Sequence, residues 1–186
     1  CAELSYGTLI KGETNIDIPK AGQARSPIKN VWLEPTALIH KPALNTLLDA
    51  DVIVIGPGDL YTSLIPNFLV SGVPDAIRRS KAVKIYICNL MTKFGETESF
   101  SAEDFVKEIQ RHLGKNILDF VLSNIKSPSR KVLREYKKEF SEFVAPPSTL
   151  VYSLKKPKYI LEDIMCDGAL VRHDPKKLAK ALLFLV

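Results

Sequence analysis

The residues best suited to chemistry in this chain stand where apolar, β-branched runs stop. Val52-Ile53-Val54-Ile55 passes directly into Gly56-Pro57-Gly58-Asp59-Leu60-Tyr61-Thr62-Ser63. In an open α/β sheet, ligands bind at the carboxyl ends of strands, and glycines there let backbone N–H groups approach a phosphate. Thr62 and Ser63 would add hydroxyl donors to such a loop. A tight strand-to-helix turn without a ligand uses the same residue types. The run also lacks the three spaced glycines of a dinucleotide fingerprint. A second apolar run, Ile85-Tyr86-Ile87-Cys88, ends in Asn89-Leu90-Met91-Thr92-Lys93-Phe94-Gly95-Glu96-Thr97. Polar Asn89, Thr92, Glu96 and Thr97 gather there, where a ligand at a strand end would meet them. Turn formation by Asn89 and solvation by Glu96 are the plainer alternatives. Val171-Arg172-His173-Asp174-Pro175 brings a guanidinium, an imidazole and a carboxylate together. The fork of Arg172 suits two phosphate oxygens at once, whereas Asp174 before Pro175 reads as a helix cap rather than a base. His173 reads more readily as a structural partner than as a ligand or base. No catalytic residue is singled out by these patterns.

Other chemistries find no support. His40 and His112 stand apart, and the three cysteines, Cys1, Cys88 and Cys166, have no metal-ligand, redox or disulfide-framework spacing. No metal site is therefore expected from spacing. Cys88, inside an apolar run, reads as a buried strand thiol. A lipidated or nucleophilic Cys1 is disfavoured, because no polar tether and no oxyanion or base partner follows it. A reducing cytoplasm is the expected compartment. The charge is +5 overall, with 13 basic against 7 acidic residues from Lys126 onward and 13 against 14 before it. The basic run Arg130, Lys131, Arg134, Lys137, Lys138 holds a single aromatic, Tyr136, rather than a series of stacking platforms, so it reads as a solvated face and nucleic acid is not an expected partner. The longest apolar stretches, 52–55 and 181–186, are far below the roughly 20 residues of a membrane span, so no membrane partner is expected either.

The elements that must position these loops alternate. Strands are predicted at 8–11, 28–33, 51–55, 84–89, 119–123 and 150–153. Helices are predicted at 42–50, 74–81, 101–113, 129–140 and 175–185. Ser101 with Asp104 three residues on marks one helix start, and Asp174-Pro175 another. The continuous apolar run at 52–55 predicts a strand covered on both faces. Strand–helix alternation at this spacing predicts an α/β fold with a mostly parallel sheet between helical layers. No repeat, long linker or internal boundary interrupts residues 1–186.

Taken together, the chain resembles the gluconeogenesis-factor branch (YvcK) of the CofD-like family. The likeness is carried by Gly12-Glu13-Thr14, by Ala50-Asp51 through Ser63, and by Ile65-Pro66-Asn67-Phe68-Leu69-Val70. It continues through Cys88-Asn89-Leu90-Met91-Thr92, Gly95-Glu96-Thr97, Ser101-Ala102-Glu103-Asp104 and Arg172-His173-Asp174. The blocks run in order along essentially the whole chain. The chain departs from the family in Asp59, where Ser is usual, and in Phe105, where His is frequent. Asp59 sets a negative charge beside the phosphate loop and is expected to weaken anion binding there.

The resemblance implies a Rossmann-like three-layer fold and a cytoplasmic factor that binds a nucleotide or nucleotide sugar such as a UDP-sugar. Such a factor serves gluconeogenic growth and cell-wall and cell-shape maintenance, and a homo-oligomer is expected. It also implies that a glycine-rich loop on a first strand is not contained in this chain. Residues 1–186 would then be the C-terminal portion of one domain, with Cys1 an interior residue and nucleotide binding poor in isolation. Ligand contacts are expected from Gly56, Pro57, Gly58, Tyr61, Thr62, Ser63, Asn67, Asn89, Thr92, Glu96, Thr97, Tyr136 and Arg172, with Tyr136 packing on base or sugar. The transferase branch of the family is the alternative. It moves a phospholactyl group from a guanosine diphosphate-activated donor to a deazaflavin, with Mg²⁺ assisting.

Overall fold

The computed structural model describes residues 1–19, 25–147 and 156–186. Three short strands come first, β1 (Ala2–Leu4), β2 (Leu9–Ile10) and β3 (Ile28–Val31), with helix α1 (Glu13–Asp17) between the last two. They form an antiparallel sheet in the order β2-β1-β3, in which Ala2 lies opposite both Ile10 and Val31. Helix α2 (Lys41–Asp49) leads to β4 (Val52–Ile55), and a π-helical turn at Leu60–Leu64 runs into α3 (Ile65–Leu69) and α4 (Val73–Arg79). Then follow β5 (Val83–Ile87), α5 (Ala102–Leu113), β6 (Phe120–Asn124), α6 (Arg130–Lys138), β7 (Lys158–Glu162) and α7 (Pro175–Leu183). The four later strands make a parallel sheet in the order β4-β5-β6-β7. Its register sets Ile55, Tyr86, Val121 and Tyr159 in one row across one face.

That row belongs to the main core, which α5 closes. Ser101 accepts from the Asp104 N–H while Asp104 accepts from the Ser101 N–H, so two otherwise orphaned donors are satisfied at the helix start. Phe105, Val106, Ile109 and Leu113 recur at helical spacing and all are buried against the sheet. On the opposite face Ile87 and Leu122 pack with Ile164 and with Leu178, Ala181 and Leu182 of α7. The fold is α/β, with helical layers on a parallel sheet.

Three features differ from the sequence reading. Val54 is 45% exposed, although Ile53 and Ile55 are buried. Strand β4 ends the parallel sheet among the described residues, and α7 covers Ile87, Leu122 and Ile160 rather than Val54. The apolar run therefore covers one face of β4 and not both. Five elements have no counterpart in the predicted set, among them the π-helical turn at Leu60–Leu64 and α3, each only five residues long. Strand β1 and helix α1 are too short to show periodicity, and in β7 the apolar residues are flanked by Lys158 and Glu162. The antiparallel sheet that β1 organises is likewise added to the parallel one. The strand predicted at 150–153 lies outside the described residues.

Candidate functional site

Strands β4 and β5 run parallel and adjacent, so the loops that leave them emerge at the same edge of the sheet. The two loops are joined by Asn89. Its Nδ2 donates to the Gly58 carbonyl at 2.8 Å, and its Oδ1 accepts from the Tyr86 hydroxyl at 3.2 Å. Tyr86 is fully buried, and burial pushes its phenol well above the ordinary value, which keeps it a donor. Between these loops and the segment around Arg172 lies a cavity of about 520 Å³. Pro57, Gly58, Asp59, Asn89, Leu90, Met91, Tyr136, Val171, Arg172 and His173 line it.

The Arg172 wall is a hairpin built after β7. Ile164 accepts from the Asp174 N–H at 2.8 Å, Cys166 donates to the Arg172 carbonyl at 2.9 Å, and Met165 pairs with His173. Three anchors hold this hairpin in place. The Tyr136 hydroxyl accepts from the Val171 N–H at 3.0 Å, tying the hairpin to α6. His173 Nε2 donates to the Cys88 carbonyl at 3.2 Å, tying it to the end of β5. Asp174 caps α7 by accepting from the Lys176 and Lys177 N–H groups. Burial lowers the His173 pKa, so the ring is held neutral. Arg172 itself is exposed and makes no ion pair among the described residues, which leaves its guanidinium available to an anion.

Several residues expected at the ligand brace the loops. Glu96 is buried and accepts from the Tyr61 N–H at 3.0 Å and the Thr62 hydroxyl at 3.2 Å. These two donors therefore point at a carboxylate within the protein. Thr92 accepts from the Glu142 N–H with its hydroxyl and donates its own N–H to the Glu142 carbonyl, while Thr97 accepts from the Lys93 N–H. Ser63 and Asn67 are exposed, with Asn67 Nδ2 donating to the Ser63 carbonyl, and neither lines the cavity. Gly56 has open space around its Cβ direction and also lies off the cavity lining. Gly95 has φ +80°, and a Cβ there would collide with Pro19, so the brace loop needs glycine at that point. Pro57, Gly58, Asn89, Tyr136 and Arg172 are the expected residues that the fold brings together.

Lys93, which no motif singled out, is the charged centre beside this cavity. Its ammonium pairs with Asp17, lies 2.6 Å from Asp59 and lies 3.4 Å from Glu96. Burial disfavours its charge, but the hydrogen bonds to Asp17 and Asp59 outweigh that and raise its pKa. The Lys93 hydrogen bond holds Asp17 below the usual carboxylate range, whereas burial pushes Glu96 up. The negative charge of Asp59 is thus met from within the protein. A sequence signal for Lys93 was not available, because Asp17 is 76 residues away from it.

A family profile described as "2-phospho-L-lactate transferase CofD" matches residues 1–163. A protein of Thermotoga maritima described as "Putative gluconeogenesis factor" is 42% identical over 184 residues, covering 97% of this chain and 57% of that protein. The gluconeogenesis factor of Halalkalibacterium halodurans is 39% identical over 184 residues, covering 97% and 55%. A crystal structure of a upf0052-family protein from Bacillus halodurans superposes with a TM-score of 0.88 at 38% identity, covering 98% of this chain and 57% of that one. The chain thus spans little more than half the length of these relatives.

Proposed function

We propose that this chain, which belongs to the CofD family, is a nucleotide-sugar-binding regulatory protein of the gluconeogenesis-factor kind, acting in carbon metabolism and cell-wall maintenance. The observation that carries the reading is the cavity at the ends of β4 and β5, with the Arg172 guanidinium, free of ion pairs among the described residues, on its wall. A guanidinium fork takes two oxygens of a diphosphate through charge-assisted hydrogen bonds. Gly58 lets the opposite wall fold closely onto Ser63 and Leu64, and the Tyr136 ring offers a flat apolar surface to a base or sugar. Relatives that share nearly the whole chain are named gluconeogenesis factors, which supports the metabolic part of the reading.

Thermal unfolding of the intact protein with and without a UDP-sugar tests this. Binding to the folded state raises the melting temperature as ligand concentration rises, and Arg172→Ala removes most of that rise. An unchanged melting temperature in the wild type at every UDP-sugar tried would refute the proposal. The description of the matching family profile favours one second reading, phospholactyl transfer to a deazaflavin. Deazaflavin-dependent release of guanosine monophosphate would select it.

A further inference from the structure

Asp17, Asp59 and Glu96 each present a carboxylate oxygen, and these oxygens lie within 4.8 Å of one another. They come from three separate segments: the end of α1, the loop after β4 and the loop after β5. Three convergent carboxylates beside the cavity are where the transferase reading would look for Mg²⁺. The centre of the group, however, is taken by the Lys93 ammonium, hydrogen-bonded to Asp17 and to Asp59 and 3.4 Å from Glu96. A hard divalent ion needs the same oxygens at about 2.0–2.6 Å and cannot share that space with Nζ. While Lys93 stays, these residues do not fit Mg²⁺.

We propose that Lys93 is the positioning residue of the cavity, a built-in cation that replaces a divalent ion at Asp17, Asp59 and Glu96 and fixes the loops after β4 and β5 without metal. Each partner explains part of the result. Glu96 has a fully buried side chain and orients the π-helical turn through the Tyr61 N–H and the Thr62 hydroxyl. A buried carboxylate without a counter-charge is strongly destabilising, so the ammonium, together with the Arg25 guanidinium that also acts on Glu96, allows that brace to persist. Asp59 lines the cavity and would repel an anionic ligand, and the same ammonium meets its charge. Asp17 brings α1 to the same point. One side chain thus sets the spacing of three segments and offsets part of their negative charge at the cavity mouth.

The significance for ligand binding rests on the cavity being the nucleotide-sugar site, but the test needs no nucleotide. Lys93→Met keeps a long apolar stem and removes the charge. Amide hydrogen exchange of the intact, metal-free protein should quicken about tenfold or more across residues 58–63 in Lys93→Met. Millimolar Mn²⁺ should restore the protection in that variant, with bound Mn²⁺ seen by electron paramagnetic resonance. The wild type should show neither response. Adding Asp59→Asn to Lys93→Met should abolish the Mn²⁺ effect, because one of the three ligands is gone. If Lys93→Met unfolds in metal-free buffer, circular dichroism should show it refolding on Mn²⁺ addition. Unchanged exchange in Lys93→Met, failure of Mn²⁺ to protect or refold it, or equal Mn²⁺ binding by the wild type would each overturn the proposal.

Discussion

Two neighbouring side chains in the hairpin after β7 do opposite work. Arg172 is exposed and unpaired among the described residues, while His173 turns inward to the Cys88 carbonyl. Since a carbonyl only accepts, Nε2 must carry the proton, and a second proton would have to enter at Nδ1 in a half-buried place. Burial is the main cause of the lowered His173 pKa, outweighing the favourable carbonyl contact. An imidazole with a folded pKa below its unfolded value of about 6.5 contributes stability that is complete above that value. The contribution is lost as pH falls through the lowered folded pKa. Denaturant unfolding between pH 8 and pH 5.5, roughly the imidazole range, should therefore show stability falling on acidification. The slope should be smaller in His173→Gln, which keeps a donor for Cys88 and cannot take up the proton. Equal slopes in the two proteins would mean that His173 does not titrate against the fold.

At the scale of elements, helix α6 is held to the rest of the site by few contacts. None of its residues is fully buried, and the Tyr136 hydroxyl is its hydrogen bond to the hairpin that carries Arg172. Tyr136→Phe separates the ring from the hydroxyl. It keeps a surface for base or sugar and frees the Val171 N–H, so the hairpin that carries Arg172 loses one of its three anchors. A net hydrogen bond of about 0.5–1.5 kcal/mol corresponds to roughly two- to tenfold weaker UDP-sugar binding, measured by calorimetry. The loss should be smaller than that of Arg172→Ala. This dependence shows why the site was only partly legible in the sequence. The Ser101–Asp104 box, the Asp174 cap and the apolar runs of β4 and β5 are local patterns, each written within a few residues. The Tyr136–Val171 and His173–Cys88 bonds depend on where distant segments arrive. Tyr61, Thr62, Thr92, Glu96 and Thr97 have residue types that suit a ligand equally well. Only their partners show that loop braces occupy these groups.

Across the molecule, the parallel sheet distributes its stability unevenly between its faces. Ile55 points into the core shared with Tyr86 and α5, whereas Val54 on the same strand faces outward. Ile55→Ala should cost about 2–5 kcal/mol in denaturant unfolding, and Val54→Ala less than about 1 kcal/mol. Similar costs would mean that both faces of β4 are covered in solution. The centre of the sheet has a different consequence. Cys88 is 1% exposed, its thiol is pushed up to about 12 by burial, and its backbone joins Leu122 on one side and His173 on the other. A thiol reagent attacks the ionised, accessible form, so the native state shields Cys88 while the partly exposed Cys1 and Cys166 react. The labelling rate of Cys88 then becomes a clock for how often the sheet parts at its middle. Because Asn89 and His173 both reach the cavity, any ligand that settles there should slow that clock.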